Sequence, residues 1–522
     1  MQLTKHAAIV LSCIAVGLNA QTPITPGAVS AAEASNNPNV RVLSLDEAVR
    51  LALEHSFDIK IQQLNPQIAR FRLQSSYGVY DPRLNIVASH RDFTQEGQIV
   101  GGVTNATTHQ RVDGFGIGIA SFPKTDRTDP NFVAGLLPTG MRYELFANAN
   151  HRTGSVAKGP IDQYDGDVGF NLRQPLLRDM WIDDARATIA LRKKDVTISE
   201  FDLQQVMMDK VLAARQTYFD LVAANDNVKV YEKALELANQ AVADTKKRVQ
   251  VGTVLPLTET SAESAAATSR ADLLAAKRQR DLQENILKSM ITDNYEKWHT
   301  LSIAPSERLL AVPQAYNLEA SWLDGLTLRP DFNRLRAEVE QQGIQVKLAK
   351  NQRFPWLDLT FSAGRSAVAS TFTGATDDVG SGRDPFWAGG LIFSIPFTFT
   401  QERNNVNAAR TRMQQMEMQL QRAHQTVIIS IDDAMKQAQS AYERVAATRE
   451  ARSFAEQALD AALKRFEQNK ITSYEVLQVQ RDLTAARGQE IRTLADYNKA
   501  LSNLYLNEGT ILRRSGLELK VK

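Results

Sequence analysis

Two long stretches of the chain carry a helical pattern of apolar positions that no helix breaker interrupts. Residues 184–250 and 402–468 contain neither Pro nor Gly. In the first stretch an apolar stripe recurs at every seventh position: Met207, Ala214, Leu221, Val228, Leu235, Val242 and Val249. This is the period of helices that pack along their sides, as in a coiled coil. Helices of this length would reach roughly 100 Å, so we expect them to need neighbouring helices and not a globular core.

Each long helix is predicted to turn back, and the two resulting hairpins are copies of one another. The first rises over 201–250 and returns over 257–291, and the second rises over 425–468 and returns over 474–509. At a fixed offset of 217 the copies share Ala238/Ala455, Gln240/Gln457, Ala241/Ala458, Lys247/Lys464, Arg248/Arg465 and Arg270/Arg487. A gapless run of matches that spans a turn indicates an internal repeat.

The repeat also includes the segments that precede the hairpins. A helix predicted over 43–77 is followed by a break at Tyr80-Asp81-Pro82. At an offset of 273 the matches are Leu45/Leu318, Leu53/Leu326, Asp58/Asp331, Pro82/Pro355 and Leu84/Leu357. We therefore predict a first repeat at 41–300 with its hairpin at 184–292, a linker at 301–317, a second repeat at 318–512 with its hairpin at 402–509, and a tail at 513–522.

Strict alternation of apolar and polar residues predicts strands between the helices. The strands common to both repeats are 84–91 and 168–174 in the first and 356–363 and 387–397 in the second. Alternation is typical of a half-buried soluble strand and also of a membrane strand. The first repeat has about 56 extra residues, most of them within 92–165. We expect this insertion to form an accessory hairpin outside the common strands.

The start of the chain and its charge limit the class of protein. Lys5 followed by an apolar run over 7–18 predicts a secretory signal peptide at 1–20, and a polar linker follows at 21–40. The single cysteine, Cys13, lies in this signal segment. The net charge of +2 is spread along the chain and gives no indication of nucleic-acid binding. An exported chain without a long apolar helix is soluble or enters a membrane through β-strands.

The sequence predicts no catalytic, cofactor or metal site, and therefore no enzyme. The seven His have no ligand spacing, and no Cys outside the signal segment could join them. Gly114, Gly116 and Gly118 resemble a nucleotide-binding loop, but they lie in an alternating segment that no helix follows, so we predict a strand there.

The hairpin turns carry the only candidate functional residues. Gly252 can adopt the left-handed conformation that ends a helix, and Asn469 is the next-best residue for the equivalent position. Glu475, Gln478 and Arg481 follow the second turn on one face of the returning helix. Glu475 could equally be an ordinary carboxylate at a helix start, where the helix dipole favours it.

These features together resemble the TolC-like family of outer-membrane efflux proteins. The resemblance runs from about residue 43 to 512. Its recognisable segments are Leu43-Ser44-Leu45-Asp46-Glu47-Ala48, Tyr80-Asp81-Pro82-Arg83-Leu84, Gln174-Pro175-Leu176-Leu177, Arg329-Pro330-Asp331, Ile395-Pro396-Phe397 and Arg465-Phe466-Glu467-Gln468-Asn469.

The resemblance implies a mainly helical protein with a membrane β-barrel, closed as a homotrimer. Each subunit would contribute about four strands to the barrel in the outer membrane and two helical hairpins to a tunnel across the periplasm. The protein would be the passive exit duct of a tripartite efflux or type I secretion system. Docking of a periplasmic adaptor, a membrane fusion protein, would open it, and an inner-membrane pump would power transport.

The resemblance also assigns expected roles to the hairpin residues. The tips for adaptor docking would be Gly252, Thr253, Val254, Asn469, Lys470 and Ile471. The periplasmic entrance would be lined by Glu475, Gln478 and Arg481. Glu475 matches the first of two acidic positions of the family, whereas Gln478 stands in place of the second. The alternative function is a periplasmic coiled-coil adaptor, which typically carries one hairpin with lipoyl-like β modules.

Overall fold

The computed structural model describes residues 40–95, 99–100, 103–104, 107–120, 122–123, 133–156, 159–252, 254–382, 384–468 and 470–516. The predicted signal peptide, the linker before Val40, Thr253, Asn469 and the last six residues of the tail lie outside the described residues.

The elements alternate between strands and long helices. The strands are β1 Val40–Leu43, β2 Arg83–Gln95, β3 Ile99–Val100, β4 Val103–Thr104, β5 Thr108–Ala120, β6 Phe122–Pro123, β7 Val133–Leu136, β8 Arg142–Val156, β9 Gly159–Pro175, β10 Ser302–Pro305, β11 Trp356–Ala369 and β12 Pro385–Ser394. The helices are α1 Leu45–His55, α2 Phe57–Tyr77, α3 Asp184–Gln250, α4 Pro256–Ile291, α5 Tyr295–Trp298, α6 Leu318–Leu328, α7 Pro330–Gln352, α8 Phe372–Ser381, α9 Thr400–Glu467, α10 Ser473–Asn507 and α11 Ile511–Arg514.

Both predicted helical hairpins are confirmed. The first consists of α3 and α4, and the second of α9 and α10, each within two residues of its predicted ends. The side chain of Asp183 begins α3 by accepting a hydrogen bond from the backbone N–H of Arg186 at 2.7 Å. Gly252, just beyond the end of α3, has φ 76°, which confirms its predicted left-handed conformation.

The larger of two apolar core clusters in the described residues lies midway along α3 and α9 and joins both hairpins. It includes Leu221 and Tyr218 of α3, Leu287 of α4, Ala438 of α9 and Tyr497 of α10. The buried Tyr218 hydroxyl donates a hydrogen bond to the carbonyl oxygen of Leu43 at 3.0 Å. Burial, reinforced by the nearby charge of Glu307, raises the pKa of Tyr218 to about 12. Both hairpins are therefore packed into one body at this level.

Two short elements beside this core differ from the sequence prediction. β1 and β10 pair in parallel, Val40 opposite Ser302 and Leu43 opposite Pro305. β10 lies in the segment expected to be a linker at 301–317, and β1 spans the predicted boundary between the linker at 21–40 and the first repeat. The helix predicted over 43–77 is divided at Ser56, whose ψ of 121° is not helical. Four-residue strands are too short for an alternating pattern to be recognised in the sequence.

The main sheet has more strands than expected. About four strands per subunit were expected, and this number is too low. Its six long strands are arranged in the order β12-β11-β9-β8-β5-β2. The inserted segment contributes β5 and β8, which lie in the middle of the sheet and not outside it. β8 pairs with β9 from Arg142 opposite Arg173 to Val156 opposite Gly159. These hydrogen bonds integrate the insertion, which the repeat comparison could not show because the second repeat has no counterpart of it.

The ends of the common strands are also corrected. Strands predicted at 84–91, 168–174 and 356–363 extend further, and the strand predicted at 387–397 ends at Ser394. Pro396 follows that end and has no N–H with which to continue the ladder. The interpretation of Gly114, Gly116 and Gly118 as strand residues is confirmed, because all three lie in β5.

We predict that Leu221→Asp prevents folding of the helical part. Leu221 is 0% exposed, and an unpaired buried carboxylate costs roughly 3–5 kcal/mol. The measurement is thermal unfolding followed by circular dichroism, with Ala243→Asp, an exposed position on the same helix, as control. Equal melting temperatures of the two variants would show that the core does not depend on this position.

Candidate functional site

The candidate site is the tip of the helical hairpins, defined here as residues 246–259 and 464–482. Contacts between helices fix its shape. The guanidinium of Arg248 on α3 lies over the ring of Phe466 on α9, 4.4 Å from its centroid. Lys246 and Glu259 approach within 4.0 Å across the first turn. The two hairpin turns are thus held beside each other by a cation–π contact.

Glu475 lies at the start of α10 and closes a capping box with Thr472. The Thr472 hydroxyl oxygen accepts a hydrogen bond from the Glu475 N–H at 3.3 Å. In return, the Glu475 carboxylate accepts bonds from the hydroxyl and the N–H of Thr472, at 3.0 and 3.4 Å. This arrangement satisfies two N–H groups that a helix start leaves without partners. The side chain stays exposed, so the carboxylate both caps the helix and presents charge to solvent.

Gln478 and Arg481 are exposed on the same side of α10, and sequence reasoning missed a third residue there. Asp482 is exposed and lies seven residues after Glu475, hence almost directly above it on the helix. The opposite side of α10 buries Val476, Leu477 and Leu483. The spacing of seven between two carboxylates was the signal that could have identified Asp482.

The turn residues divide into exposed and packed positions. Gly252 and Lys470 are exposed, whereas Val254 and Ile471 are half-buried. The N–H of Lys470 donates to the carbonyl oxygen of Arg465 at 2.9 Å and closes the end of α9. Three large apolar side chains around the first turn are exposed instead: Val251, Leu255 and Leu257. These three were missed because apolar residues are expected to be buried.

At the other end of the molecule, the main sheet has one continuous apolar face. Residues directly opposite in an antiparallel sheet point to the same face. Ile86, Ile117, Ala147 and Val168 lie in one such row across β2, β5, β8 and β9. The exposed large apolar residues of this face are Leu84, Ile86, Phe115, Ile117, Ile119, Leu145, Val168, Leu359, Phe361, Trp387, Leu391 and Phe393. An exposed apolar surface that spans six strands indicates contact with a membrane or another protein.

The opposite face of the sheet is polar and cross-linked by side-chain hydrogen bonds. Asn148 donates to Asp167 at 2.9 Å, and Asn150 donates to Asp165 at 3.0 Å. Nearer the helices, the Arg173 guanidinium donates to the buried Asp358 carboxylate at 2.8 Å. The sheet is therefore suited to separate an apolar environment from water.

The described part of the chain contains no group of three or more side chains placed to hold a metal ion. Within those same residues, no helix has both the length and the apolarity needed to cross a membrane.

Comparison with known sequences identifies similar proteins. A family model described as outer membrane efflux protein matches residues 144–292 and 324–510. The chain is 23% identical over 336 residues to the outer membrane efflux protein BepC of Brucella suis biovar 1 (strain 1330), covering 64% of this chain and 70% of BepC. It is 24% identical over 289 residues to the cation efflux system protein CusC of Escherichia coli (strain K12), covering 55% of this chain and 60% of CusC. The match thus spans less than two thirds of CusC.

Solved structures share the fold. The Campylobacter jejuni CmeC outer membrane channel superposes with a TM-score of 0.61 at 16% identity, covering 97% of this chain and 99% of CmeC. The open state of the Neisseria gonorrhoeae MtrE outer membrane channel gives a TM-score of 0.60 at 15% identity, covering 90% of this chain and 89% of MtrE.

Proposed function

Because the chain belongs to the outer membrane efflux protein family, we propose that it forms the outer-membrane duct of a tripartite efflux or type I secretion system. One observation carries the proposal: the same chain contains a sheet with an exposed apolar face and two hairpins of very long helices. The apolar face would contact outer-membrane lipid, and the polar face would line water. The helices α3 and α9, of 67 and 68 residues, would extend roughly 100 Å into the periplasm.

The two free edges of the sheet support closure with further copies of the chain. β2 and β12 each have one neighbour in the sheet, so each carries a row of backbone groups without strand partners. Because the path contains an even number of antiparallel strands, the edge strands β2 and β12 run in opposite directions. β12 of one copy can therefore form an antiparallel pair with β2 of the next, and the apolar faces of both copies then lie on the same, outer side. A homotrimer, as the resemblance implies, would then hold about eighteen strands, the size at which barrels leave an aqueous channel.

An exposed stripe on α2 supports the same assembly. Its members are Phe57, Ile61, Leu64, Ile68 and Phe71, spaced alternately by four and three residues, the coiled-coil pattern. The opposite side of α2 packs on α3, where Ile59 is fully buried.

The internal repeat indicates which helix covers this stripe. Ile61 and Ile68 correspond, at the offset of 273, to Arg334 and Gln341 of α7. Arg334 pairs with Asp202 of α3 at 3.3 Å, and Gln341 donates to Asp195 of α3 at 2.6 Å. The counterpart of α3 in the second repeat is α9. We infer that the α2 stripe packs against α9 of a neighbouring copy, in whose corresponding stretch, 412–419, Met418 is 69% exposed.

Ile61→Asp should therefore abolish the trimer while the subunit still folds. Ile61 is 62% exposed in the single chain, so the charge becomes costly only when a second copy covers it. Gln63→Asp, exposed on α2 away from the stripe, is the matched control. The measurement is molar mass by light scattering of detergent-extracted protein, and a normal trimer of Ile61→Asp would refute the packing on α9.

The tip is proposed to form the periplasmic entrance. In a ring of copies, the Glu475 side chains would surround the axis, and Asp482 would add a second acidic level roughly 10 Å further along the helix. Carboxylates collected around a narrow opening attract cations and repel anions. Gln478 and Arg481 would lie between the two levels.

We expect Glu475→Gln and Asp482→Asn each to reduce cation selectivity. Gln can keep the capping box, so the first variant changes charge with little change in the helix start. The measurement is the reversal potential of single channels in planar bilayers across a salt gradient. Glu263→Gln, which removes an exposed carboxylate from α4, is the control. Unchanged selectivity in both variants would mean that neither residue lines the entrance.

Adaptor docking is proposed for the turns themselves. The exposed apolar side chains at Val251, Leu255 and Leu257 extend the site predicted around Gly252, Thr253 and Val254 and around Asn469, Lys470 and Ile471. Large apolar side chains at an exposed turn are typical of residues that a partner covers.

Leu255→Asp should weaken binding of the cognate adaptor by roughly tenfold or more, the usual loss at an interface hot spot. Leu255 is 73% exposed, so the substitution should leave the fold intact. Surface plasmon resonance with the purified adaptor measures the affinity, with Gln250→Asp as a control that places the same charge nearby. Equal affinities would place the docking surface elsewhere.

A further inference from the structure

The helix α8 occupies an unusual position on the main sheet. It joins β11 to β12 at the end of the sheet opposite the long helices. Its start is capped by the Thr371 hydroxyl oxygen, which accepts from the Gly374 N–H at 3.2 Å. At its other end, the Arg365 guanidinium donates to the carbonyl oxygen of Gly380 at 3.3 Å. The start of α8 is therefore capped, and its end is bound to β11 through Arg365.

α8 packs on the apolar face of the sheet. The Phe372 ring meets Tyr164 of β9 edge to face, with centroids 6.2 Å apart. Ala375 of α8 and Ala367 of β11 are each 3% exposed. A Cβ placed on Gly166 would lie 3.5 Å from a methyl carbon of Val379, so the helix approaches the strands closely. α8 thus covers part of a face that is otherwise exposed.

A groove of about 630 Å³ lies between α8 and strands β5, β8 and β9. Its lining includes Phe115, Ile117, Ala149, Val168, Phe372 and Val379. Ala149 lies opposite Phe115 of β5 and Gly166 of β9, so the small residues Ala149 and Gly166 leave a trough beside the Phe115 ring. At the far end of the sheet, Asp113, His151 and Tyr164 border the groove, and His151 bonds to Asp162 at 2.8 Å. The groove is apolar along its length and polar at one rim.

We propose that this groove holds one acyl chain of an outer-leaflet lipid, an inference that rests on the proposed membrane function. The groove continues the apolar face that would contact lipid, and its volume is within the roughly 300–1,000 Å³ of small-molecule sites. Asp377 is exposed on α8, so this helix belongs at the level of the polar head groups, as amphipathic interfacial helices do. The polar rim would lie at the same level, and the chain would extend from it along the sheet.

The test is photo-crosslinking of the full-length protein in liposomes. The probe is phosphatidylethanolamine with a diazirine in one acyl chain, and labelled peptides are mapped by mass spectrometry. We expect labelling of 372–380 and of the Ala147–Ala149 stretch to exceed that of β12, whose Leu391 is on the same face but outside the groove. Ala149→Phe should fill the trough and abolish this excess, whereas Ala363→Phe, on the same face outside the groove, should preserve it.

The outcomes separate the two proposals. Labelling spread evenly over the apolar face would overturn the acyl-chain site and leave the membrane function standing. Absence of labelling on the whole face would refute the membrane function itself. An excess at α8 that survives Ala149→Phe would also overturn the lipid assignment. The wild-type pattern alone decides the matter if Ala149→Phe fails to fold.

Discussion

The packing of the two hairpins depends on the larger of the two apolar core clusters in the described residues, which lies midway along α3 and α9. Leu221, Tyr218 and Leu287 are fully buried there, and α1, α3, α4, α9 and α10 all contribute to it. Towards the tip the same stripe of α3 becomes half-buried at Leu235, Val242 and Val249. The apolar burial that resists separation of the helices therefore decreases from the core to the tip. A structure fixed at its middle and weakly packed at its end can open at the tip without unfolding, as the proposed opening of the duct by an adaptor would require.

The long helices could be predicted from the sequence because their information is local. The absence of Pro and Gly predicts α3 and α9 within two residues of their ends, and for α3 the seven-residue stripe and Gly252 beyond the helix end support the prediction. The Gly252 conformation follows from the same local chemistry. The roles of Glu475, Gln478 and Arg481 stay predictions, because they depend on how copies of the chain surround an axis. Asp482 could have been included from its spacing alone.

The sheet was harder to predict because strand partners are set by hydrogen bonds between distant residues. The sequence predicts a hairpin within the insertion at 92–165, but it does not indicate where that hairpin lies in the sheet. A comparison of the repeats predicts an accessory hairpin here, because the segment has no counterpart in the second repeat, and this prediction is wrong. The ladder instead places β5 and β8 between β2 and β9. A local pattern can identify a strand and its two faces, but it does not determine the neighbours of that strand.

Glycines on the polar face give a physical argument about which face is inside. Gly114 lies on that face, and a Cβ there would come within 2.7 Å of the Ser89 hydroxyl and 2.8 Å of Asn150. Gly169 and Gly364 are opposite each other in the ladder, and a Cβ on Gly364 would lie 2.6 Å from the Phe386 ring. Side chains converge on the concave side of a curved sheet and diverge on the convex side, so the crowding at Gly114, Gly169 and Gly364 favours the polar face as the inner one. The apolar face, which carries large residues such as Phe115 and Trp387, is then the convex one, and a closed ring of copies would turn it towards lipid.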